Sequence, residues 1–248
     1  MKIIMIGTGR YDIPPKGYGG VERHIWNLAE ALKKKHEVIV LNKVYGLSFS
    51  SQMRFSMGAL RIMKRLECDV LHIHTNVPAA YFSFRGVRYV YTTHSRHWMY
   101  VETLTDKLGL LLERHAVKHA LRTIALSKQN AVAVSHYTER VDVVPTGVDI
   151  HRFSPVEHDG DEIKAVCIGA VLPHKRFHLA AEALKGTKIK LLIIGPIVDK
   201  EYAALIQKKN PQVVLLGALE DDELLHHLKT SHMLIHPSAV SYTHLTLP

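Results

Sequence analysis

The sequence has few cysteines and no long apolar run. Its cysteines, Cys68 and Cys167, are far apart and lie in apolar surroundings, which is typical of reduced, buried thiols in a cytosolic protein and argues against a disulfide framework. No apolar run reaches the roughly 18 residues that a membrane-spanning helix needs. The first residues contain one lysine and no small-residue cleavage site, which predicts a first strand and not a signal peptide. We therefore expect a cytoplasmic protein.

Acidic residues are also scarce. The 248 residues include 23 Asp and Glu against 32 Lys and Arg, which gives a formal net charge of +9 with neutral His. This basic balance suits anionic ligands such as nucleotide diphosphates, nucleic acid or an anionic membrane surface. The sequence has no zinc-knuckle, helix-turn-helix or aromatic-rich RNA-binding signature, so we expect no nucleic-acid partner. The 47% hydrophobic content indicates a globular protein with a buried core.

Apolar strand-like runs alternate with helix-like segments along most of the chain. The strand-like runs are Lys2–Gly7, Glu37–Leu41, Asp69–His74, Arg88–Thr93, Arg122–Ser127, Val141–Val144, Ile163–Gly169, Ile189–Gly195, Val213–Gly217 and Met233–His236. The predicted helices span residues 20–35, 51–66, 103–120, 175–185, 199–209 and 221–230. Near-continuous apolar runs favour parallel strands covered on both faces. The pattern therefore predicts an α/β, doubly wound fold.

A segment without apolar periodicity separates two series of strands. It contains Pro155, Gly160 and a run of acidic residues, which indicates a hinge. We predict a Rossmann-like domain over 1–150, a linker over 151–162 and a second Rossmann-like domain over 163–248. Because open α/β sheets bind ligands at the carboxyl ends of their strands, two such domains facing each other would hold a ligand in the cleft between them.

A glycine-rich loop leads from the first strand into an amphipathic helix. The N-terminus of a helix attracts anions, and Gly19 and Gly20 would let a phosphate approach the backbone closely. The alternative is that these glycines only permit tight packing. Gly7–Gly9 does not complete a dinucleotide fingerprint, since the third glycine would fall at Asp12. The loop is therefore interpreted either as an anion-binding site or as a tight packing contact, and the sequence argues against an NAD-binding site.

Glycines and cations follow later strands at positions that suit an anion or a sugar. Gly147 and Asp149 lie in a turn that closes the first domain, and Gly169 ends the first strand of the second. Lys175 would open the following helix, where it could meet a phosphate as a point charge. Gly195 ends the next strand, where the backbone must come close to a ligand or a helix. Each feature alone is common in α/β proteins.

The chain is rich in histidine, with 18 residues. His72 and His74 are two apart on a strand and therefore share one face, and His94 follows the next strand. Together they could suggest a metal site, but no carboxylate or cysteine cluster accompanies them. The alternatives are that His94 hydrogen-bonds a substrate hydroxyl at the carboxyl end of its strand, or that it is a satisfied structural histidine. We expect no bound metal.

Residues 51–66 combine Met, Phe and Leu with four basic residues. A basic amphipathic helix of this kind can lie on an anionic membrane. The alternative is a crossover helix that covers the sheet, since parallel strands need such a connection. The second interpretation is favoured, and contact with the inner face of a membrane stays open.

These segments together resemble the family 4 retaining glycosyltransferases, which have the GT-B fold, over about residues 1–238. The matching segments are 15–23 (PKGYGGVER), 69–74 (DVLHIH), 91–94 (YTTH), 125–128 (ALSK), 144–149 (VPTGVD) with Phe153 and Pro155, 169–175, 215–217 (LLG) and 236–238 (HPS). The resemblance implies two Rossmann-like domains with an interdomain cleft. It also implies transfer of a sugar from a UDP- or GDP-linked donor to a glycan, lipid or small-molecule acceptor, with retention of configuration.

The resemblance also implies roles for particular residues. Gly19 and Gly20 would approach the donor phosphate or the acceptor, His94 would be the catalytic-site contact to the transferred sugar, and Lys175 would neutralise the diphosphate. No metal or other cofactor is expected, because protein cations stabilise the leaving group. The remaining residues predicted for the donor site are Glu22, Gly147, Asp149, Gly169, Arg176 and Gly195.

The sequence departs from the family pattern in the second domain. Ala170 stands where the family usually has Arg, and Arg176 stands where it has Gly, so Arg176 could supply the missing charge. After His236–Ser238 the family continues with a Glu-x-Phe-Gly loop and a second Glu, whereas no glutamate follows Glu223 here. The last eight residues resemble translated sequencing adapter. We therefore expect a truncated reading frame, an incomplete second domain and little or no activity.

Two other functions fit parts of the pattern. A GT-B sugar-nucleotide epimerase would need catalytic carboxylates that this sequence lacks, and the glycine-rich loop argues against it. A non-catalytic sugar- or anion-binding module would tolerate Ala170 and the absent glutamates.

Overall fold

The computed structural model describes residues 1–15, 19–46, 48–94, 98, 101, 103–148 and 162–238. They form two compact units, which divide between Thr146 and Gly147. All of the predicted linker except Glu162, and the terminal residues 239–248, lie outside the described residues, so the predicted domain bounds stay a prediction.

The first unit is a six-stranded parallel sheet with the strand order β2-β1-β3-β4-β5-β6. Its strands are β1 Lys2–Ile6, β2 Glu37–Leu41, β3 Val70–Ile73, β4 Val90–Thr93, β5 Arg122–Ala125 and β6 Val141–Val143. Its helices are α1 Gly20–Lys33, α2 Phe49–Met63, α3 Asn76–Phe84, α4 Leu104–His119 and α5 Lys128–Ser135. All strands run parallel, so their carboxyl ends meet along one edge of the sheet.

The second unit is a four-stranded parallel sheet with the order β10-β7-β8-β9. Its strands are β7 Lys164–Ile168, β8 Lys190–Ile194, β9 Val214–Gly217 and β10 Met233–Leu234. Its helices are α6 Phe177–Ala183, α7 Lys200–Lys209 and α8 Asp221–Lys229, and a short 3-10 turn, Pro173–Lys175, precedes α6.

Each sheet is buried on both faces. In β1, Ile4 and Ile6 belong to one apolar cluster, whereas Ile3 and Met5 belong to another that packs against α1. The same alternation occurs in β7, where Cys167 and Val166 enter different clusters. Successive residues of a strand point to opposite faces, so near-continuous apolar strands require cover on both sides. The predicted α/β fold with parallel sheets is confirmed.

The predicted strands are all present within the described ranges, most of them one or two residues shorter than expected. Two short helices, α3 and α5, were missed because they are only nine and eight residues long and weakly amphipathic. The start of α5 did carry a signal, since the Ser127 hydroxyl accepts a hydrogen bond from the backbone N–H of Asn130.

The prediction that Lys175 opens a helix was wrong. Lys175 ends the 3-10 turn that starts at Pro173, and Arg176 then has a φ of 52°, in the left-handed region. This backbone reversal separates the turn from α6. Lys175 therefore lies in the loop between β7 and α6, and the helix begins at Phe177.

The basic segment 51–66 forms most of α2. Its apolar residues Phe55, Ala59 and Leu60 are buried in the core of the first unit, while Arg54 and Arg61 are exposed. This arrangement supports a helix that covers the sheet with a solvated charged face. No helix within the described ranges is long and apolar enough to cross a membrane.

Candidate functional site

Three histidines meet at the carboxyl edge of the sheet in the first unit. His74 directly follows β3, His94 directly follows β4, and His24 lies in the second turn of α1. The ring centroids are 5.8 Å apart for His24 and His74, 4.9 Å for His24 and His94, and 5.5 Å for His74 and His94. The topology explains this meeting, because β3 and β4 are adjacent strands and α1 follows their neighbour β1.

The contacts within the cluster hold the rings in place. Nδ1 of His74 and Nε2 of His94 are 3.2 Å apart, so one of them donates a hydrogen bond to the other. The ring of His72 packs against that of His74 at 4.1 Å, as their spacing on one strand face predicts. Nε2 of His72 is 2.7 Å from the Thr92 hydroxyl on β4. His24 was not identified from the sequence, although its place one turn into the helix after the glycine loop was a usable signal.

Burial keeps these imidazoles neutral. It lowers the pKa of His72 to about 4 and the pKa of His74 and His94 well below the usual value of 6.5. It also lowers the pKa of His24. A neutral imidazole has one donor and one acceptor nitrogen. The cluster can therefore donate a hydrogen bond to one hydroxyl group of a ligand and accept a hydrogen bond from another.

The glycine-rich loop positions the start of α1. Gly19 has a φ of 150°, and a side chain there would place its Cβ 2.9 Å from Cβ of Pro15 and 3.1 Å from a carboxylate oxygen of Glu22. Only glycine suits this position, whereas Gly20 faces open space and is exposed. Residues 16–18 of the loop lie outside the described residues.

The carboxylate of Glu22 is directed into the protein. It is 3% exposed and accepts a hydrogen bond of 2.5 Å from the hydroxyl of Thr8, which follows β1. The Thr8 hydroxyl in turn accepts from the backbone N–H of Arg10. The network connects the loop after β1 to the first turn of α1, where the helix dipole also stabilises a carboxylate.

The turn after β6 contributes one contact to the histidine cluster. The Thr146 hydroxyl is 3.3 Å from Nδ1 of His24. Gly147, the next residue, is exposed, and a Cβ at this position would have no other atom within 4 Å. Asp149, also predicted as a donor-site residue, lies outside the described residues.

In the second unit, Gly169 and Gly195 lie side by side at the carboxyl edge of the sheet. They follow the paired strands β7 and β8, and a Cβ at Gly195 would stand 2.0 Å from the carbonyl oxygen of Gly169. The close approach that the sequence predicted at Gly195 is therefore to its neighbouring loop.

Lys175 passes over Gly169. Its Cε would be 3.5 Å from a Cβ at Gly169, and half-burial of the side chain lowers the pKa of the ammonium group. Burial, and then the charge of Lys175, lowers the pKa of His236. The sequence had not assigned His236 a role beyond its part in the family motif. Lys175 is thus a partly desolvated cation at the strand ends, where an anion would find an unhydrated partner.

The two departures from the family pattern differ in environment. Ala170 is 2% exposed, and its neighbour Val171 lies in the core. Arg176 is exposed and directly follows the 3-10 turn Pro173–Lys175. The structure therefore brings Gly169, Gly195 and Lys175 together, and it places Arg176 one residue beyond them.

Two parallel α/β units with glycine-lined strand ends are the architecture of the GT-B glycosyltransferases. Residues 18–152 match Glycosyltransferase Family 4, and residues 150–244 match Glycosyl transferases group 1. The chain belongs to Glycosyltransferase Family 4.

Solved structures share this fold. Sucrose-phosphate synthase from Thermosynechococcus elongatus has a TM-score of 0.80 at 16% identity, over 96% of this chain and 75% of that one. WaaG, a glycosyltransferase of lipopolysaccharide biosynthesis, has a TM-score of 0.70 at 14% identity, over 96% and 75%. HepE from Anabaena, in complex with UDP and glucose, has a TM-score of 0.69 at 16% identity, over 96% and 74%. Comparison with curated proteins finds no significant match.

Proposed function

We propose that the protein transfers a hexose from a nucleoside-diphosphate-sugar donor to an acceptor hydroxyl with retention of anomeric configuration. The observation that carries this proposal is the half-buried Lys175 ammonium beside Gly169 and Gly195, in a chain of the glycosyltransferase family. The UDP and glucose bound to HepE, which has the same fold, support a donor of this class.

The leaving group of such a reaction is a nucleoside diphosphate, on which negative charge develops as the glycosidic bond breaks. A cation already in place stabilises this charge without reorganisation. Lys175 is suited to this role because its burial disfavours the charged form, and an adjacent phosphate would offset that cost. Gly169 leaves room for the Lys175 side chain, and Gly195 lets its loop pack against that of Gly169. We therefore assign the diphosphate to these residues, without a metal ion.

The first unit would hold the sugar and the acceptor. His94, fixed by its contact with His74, would hydrogen-bond a sugar hydroxyl. Gly20 leaves room for a ligand at the start of α1, while Gly19 and Glu22 support the loop. Gly147, which belongs to the second unit, and Asp149 are assigned to the donor, and the acceptor is a glycan, a lipid or a small molecule.

Nucleotide binding tests the assignment of Lys175. Titration of the chain with UDP and GDP, followed by calorimetry, should detect binding of one of them. Lys175→Ala should weaken it roughly 10- to 100-fold, which corresponds to one lost charge-assisted hydrogen bond. The matched control is Lys188→Ala, an exposed lysine that precedes β8 at the opposite edge of the same sheet. Equal losses in both variants, or no binding of either nucleotide, would refute the proposal.

Arg176→Ala tests whether this residue replaces the charge absent at Ala170. The substitution should weaken binding of the same nucleotide, because Arg176 is the next cation along the loop. Unchanged affinity would exclude compensation.

A second candidate is a non-catalytic sugar- or anion-binding module. The buried Ala170 favours it, since one phosphate-binding cation of the family is absent. Donor hydrolysis separates the two functions: an enzyme releases free sugar from the donor that it binds, and a module does not. The proton NMR signal of the anomeric centre in the transfer product tests retention.

A further inference from the structure

The histidine cluster of the first unit has the chemistry of a metal site. His24, His74 and His94 each offer one ring nitrogen, and these three nitrogens all lie within 4.8 Å of one another. Among the described residues, these three histidines form the one group of three potential metal ligands whose donor atoms lie this close together. The residues come from three elements, so the arrangement is a product of the fold and not of local sequence.

The geometry is close to that of bound zinc. With Zn–N distances of about 2.0–2.1 Å, tetrahedral ligands place their nitrogens about 3.3 Å apart and their imidazole centroids about 5.2 Å apart. The observed centroid distances are 5.8, 4.9 and 5.5 Å. The ligand nitrogens lie within 4.8 Å of one another, so they must move closer around an ion, and the half-buried His24 side chain can rotate on its helix to do so.

The surroundings of the cluster suit metal binding. Metal-bound histidines need outer partners that orient their rings. Nδ1 of His24 has the Thr146 hydroxyl, and the His74 ring packs on His72, which Thr92 holds.

One buried nitrogen points independently to a missing ligand. Nε2 of His74 is buried and has no hydrogen-bond partner among the described residues, in a side chain that is 1% exposed. Leaving such a polar atom unsatisfied is unfavourable. Coordination of zinc through Nε2 of His74 would give this atom a partner.

We propose that His24, His74 and His94 form a Zn²⁺ site whose fourth position is open to water. Three neutral nitrogen ligands without a carboxylate suit zinc better than magnesium or calcium, which prefer oxygen. Zinc is not a cofactor of the transfer here. Since the ion engages His94, zinc and the sugar exclude each other, and this consequence rests on the proposed function.

Direct metal titration tests the site on the tag-free chain. Zinc competition with a chromophoric chelator should show one tight equivalent, and Co²⁺ should give the intense visible absorption of a tetrahedral site. His24→Gln and His94→Gln should each raise the Kd at least roughly tenfold. His24→Gln is the primary variant because the side chain is half-buried on a helix and its loss leaves the core intact. Circular dichroism verifies folding of each variant.

The matched control is the double variant His115→Ala/His119→Ala. These residues form another close imidazole pair, one turn apart on α4, with ring centroids 4.1 Å apart. The control should bind zinc as the unaltered chain does. The proposal is overturned if zinc affinity depends on this pair, if His24→Gln binds equally tightly, or if no stoichiometric binding occurs. If zinc binds as expected but does not weaken binding of the nucleotide sugar, only the competition with sugar fails.

Discussion

Gly195 lies directly against the backbone of Gly169: a Cβ at Gly195 would stand 2.0 Å from the Gly169 carbonyl oxygen and 2.4 Å from its carbonyl carbon. Both glycines have strongly positive φ angles, 148° and 144°. The two loops that follow β7 and β8 can therefore pack together only when position 195 carries no side chain.

Gly195→Ala should destabilise the second unit by at least about 2 kcal/mol, because the methyl group meets backbone that cannot move aside and the φ angle disfavours alanine. Thermal unfolding measures the loss. Gly147→Ala is the control, since a Cβ there meets nothing within 4 Å and its φ angle is not in the left-handed region. Equal melting temperatures for the two variants would contradict the packing described here.

Gly58→Ala should stabilise the first unit. Gly58 lies inside α2, and a Cβ there would contact only the Tyr45 hydroxyl oxygen, at 3.8 Å. Alanine gains about 0.5–1 kcal/mol over glycine in a helix interior because it restricts the unfolded chain. Urea denaturation should show a higher midpoint. Gly9→Ala should lower that midpoint, since its Cβ would stand 2.6 Å from the Phe55 ring.

Thr8→Val should lower the free energy of unfolding by about 1–3 kcal/mol, because it removes a hydrogen-bond donor from the buried Glu22 carboxylate. Denaturant titration measures this change. The exposed Glu30, which pairs with Lys33 on the same helix, provides the comparison: Glu30→Gln should change stability by less than about 0.5 kcal/mol. A Thr8 variant as stable as the Glu30 variant would show that the buried carboxylate does not need this donor.

Acid should destabilise the first unit between about pH 6.5 and pH 4. Burial lowers the pKa of His72 to about 4 and that of His74 and His94 well below 6.5. As the pH falls through this window the unfolded chain binds protons that the folded chain excludes, so stability present above pH 6.5 is lost. The loss is about 1.4 kcal/mol per pH unit for each histidine.

Urea titrations at pH 7.5 and pH 5, both with EDTA to exclude metal, test this dependence. His72→Gln should reduce the difference between the two midpoints, whereas the exposed His119→Gln should not. Identical midpoints at both pH values would mean that the cluster is not held neutral by burial.

The two cysteines should differ in reactivity. Cys167 is fully buried, and burial raises the pKa of its thiol to about 12. Cys68 is half-buried, and its pKa is raised less strongly by burial and by Asp69. Because the thiolate is the reactive form, a thiol reagent at pH 8 should label Cys68 first and Cys167 only as fast as the chain unfolds. Cys68→Ser should remove the fast phase, and persistence of that phase would contradict the assignment.

Much of the fold could be predicted from local pattern. Near-continuous apolar runs gave the strand succession, and the spacing of apolar residues gave the long helices, since both signals arise from burial of one or both faces. The short helices α3 and α5 escaped because two turns carry little periodicity. Lys175 was misplaced because the left-handed conformation of Arg176, which ends the turn before α6, has no signature in a non-glycine residue.

The candidate site was predictable only in part. The glycines at 19, 169 and 195 were visible because strand ends in α/β proteins need them. His24 was not, since its partners lie 50 and 70 positions away along the chain, and its place one turn into the helix after the glycine loop does not reveal them.

The sequence by itself determined the order of strands and helices, the glycines at the strand ends and the glycosyltransferase family, because these depend on short-range patterns of polarity and size. Only the tertiary structure decided that His24, His74 and His94 meet, that Thr8 binds Glu22 and that Gly195 packs on Gly169. Parallel strands bring distant segments to one edge, and the contacts made there depend on strand order and side-chain rotation, which no local pattern encodes.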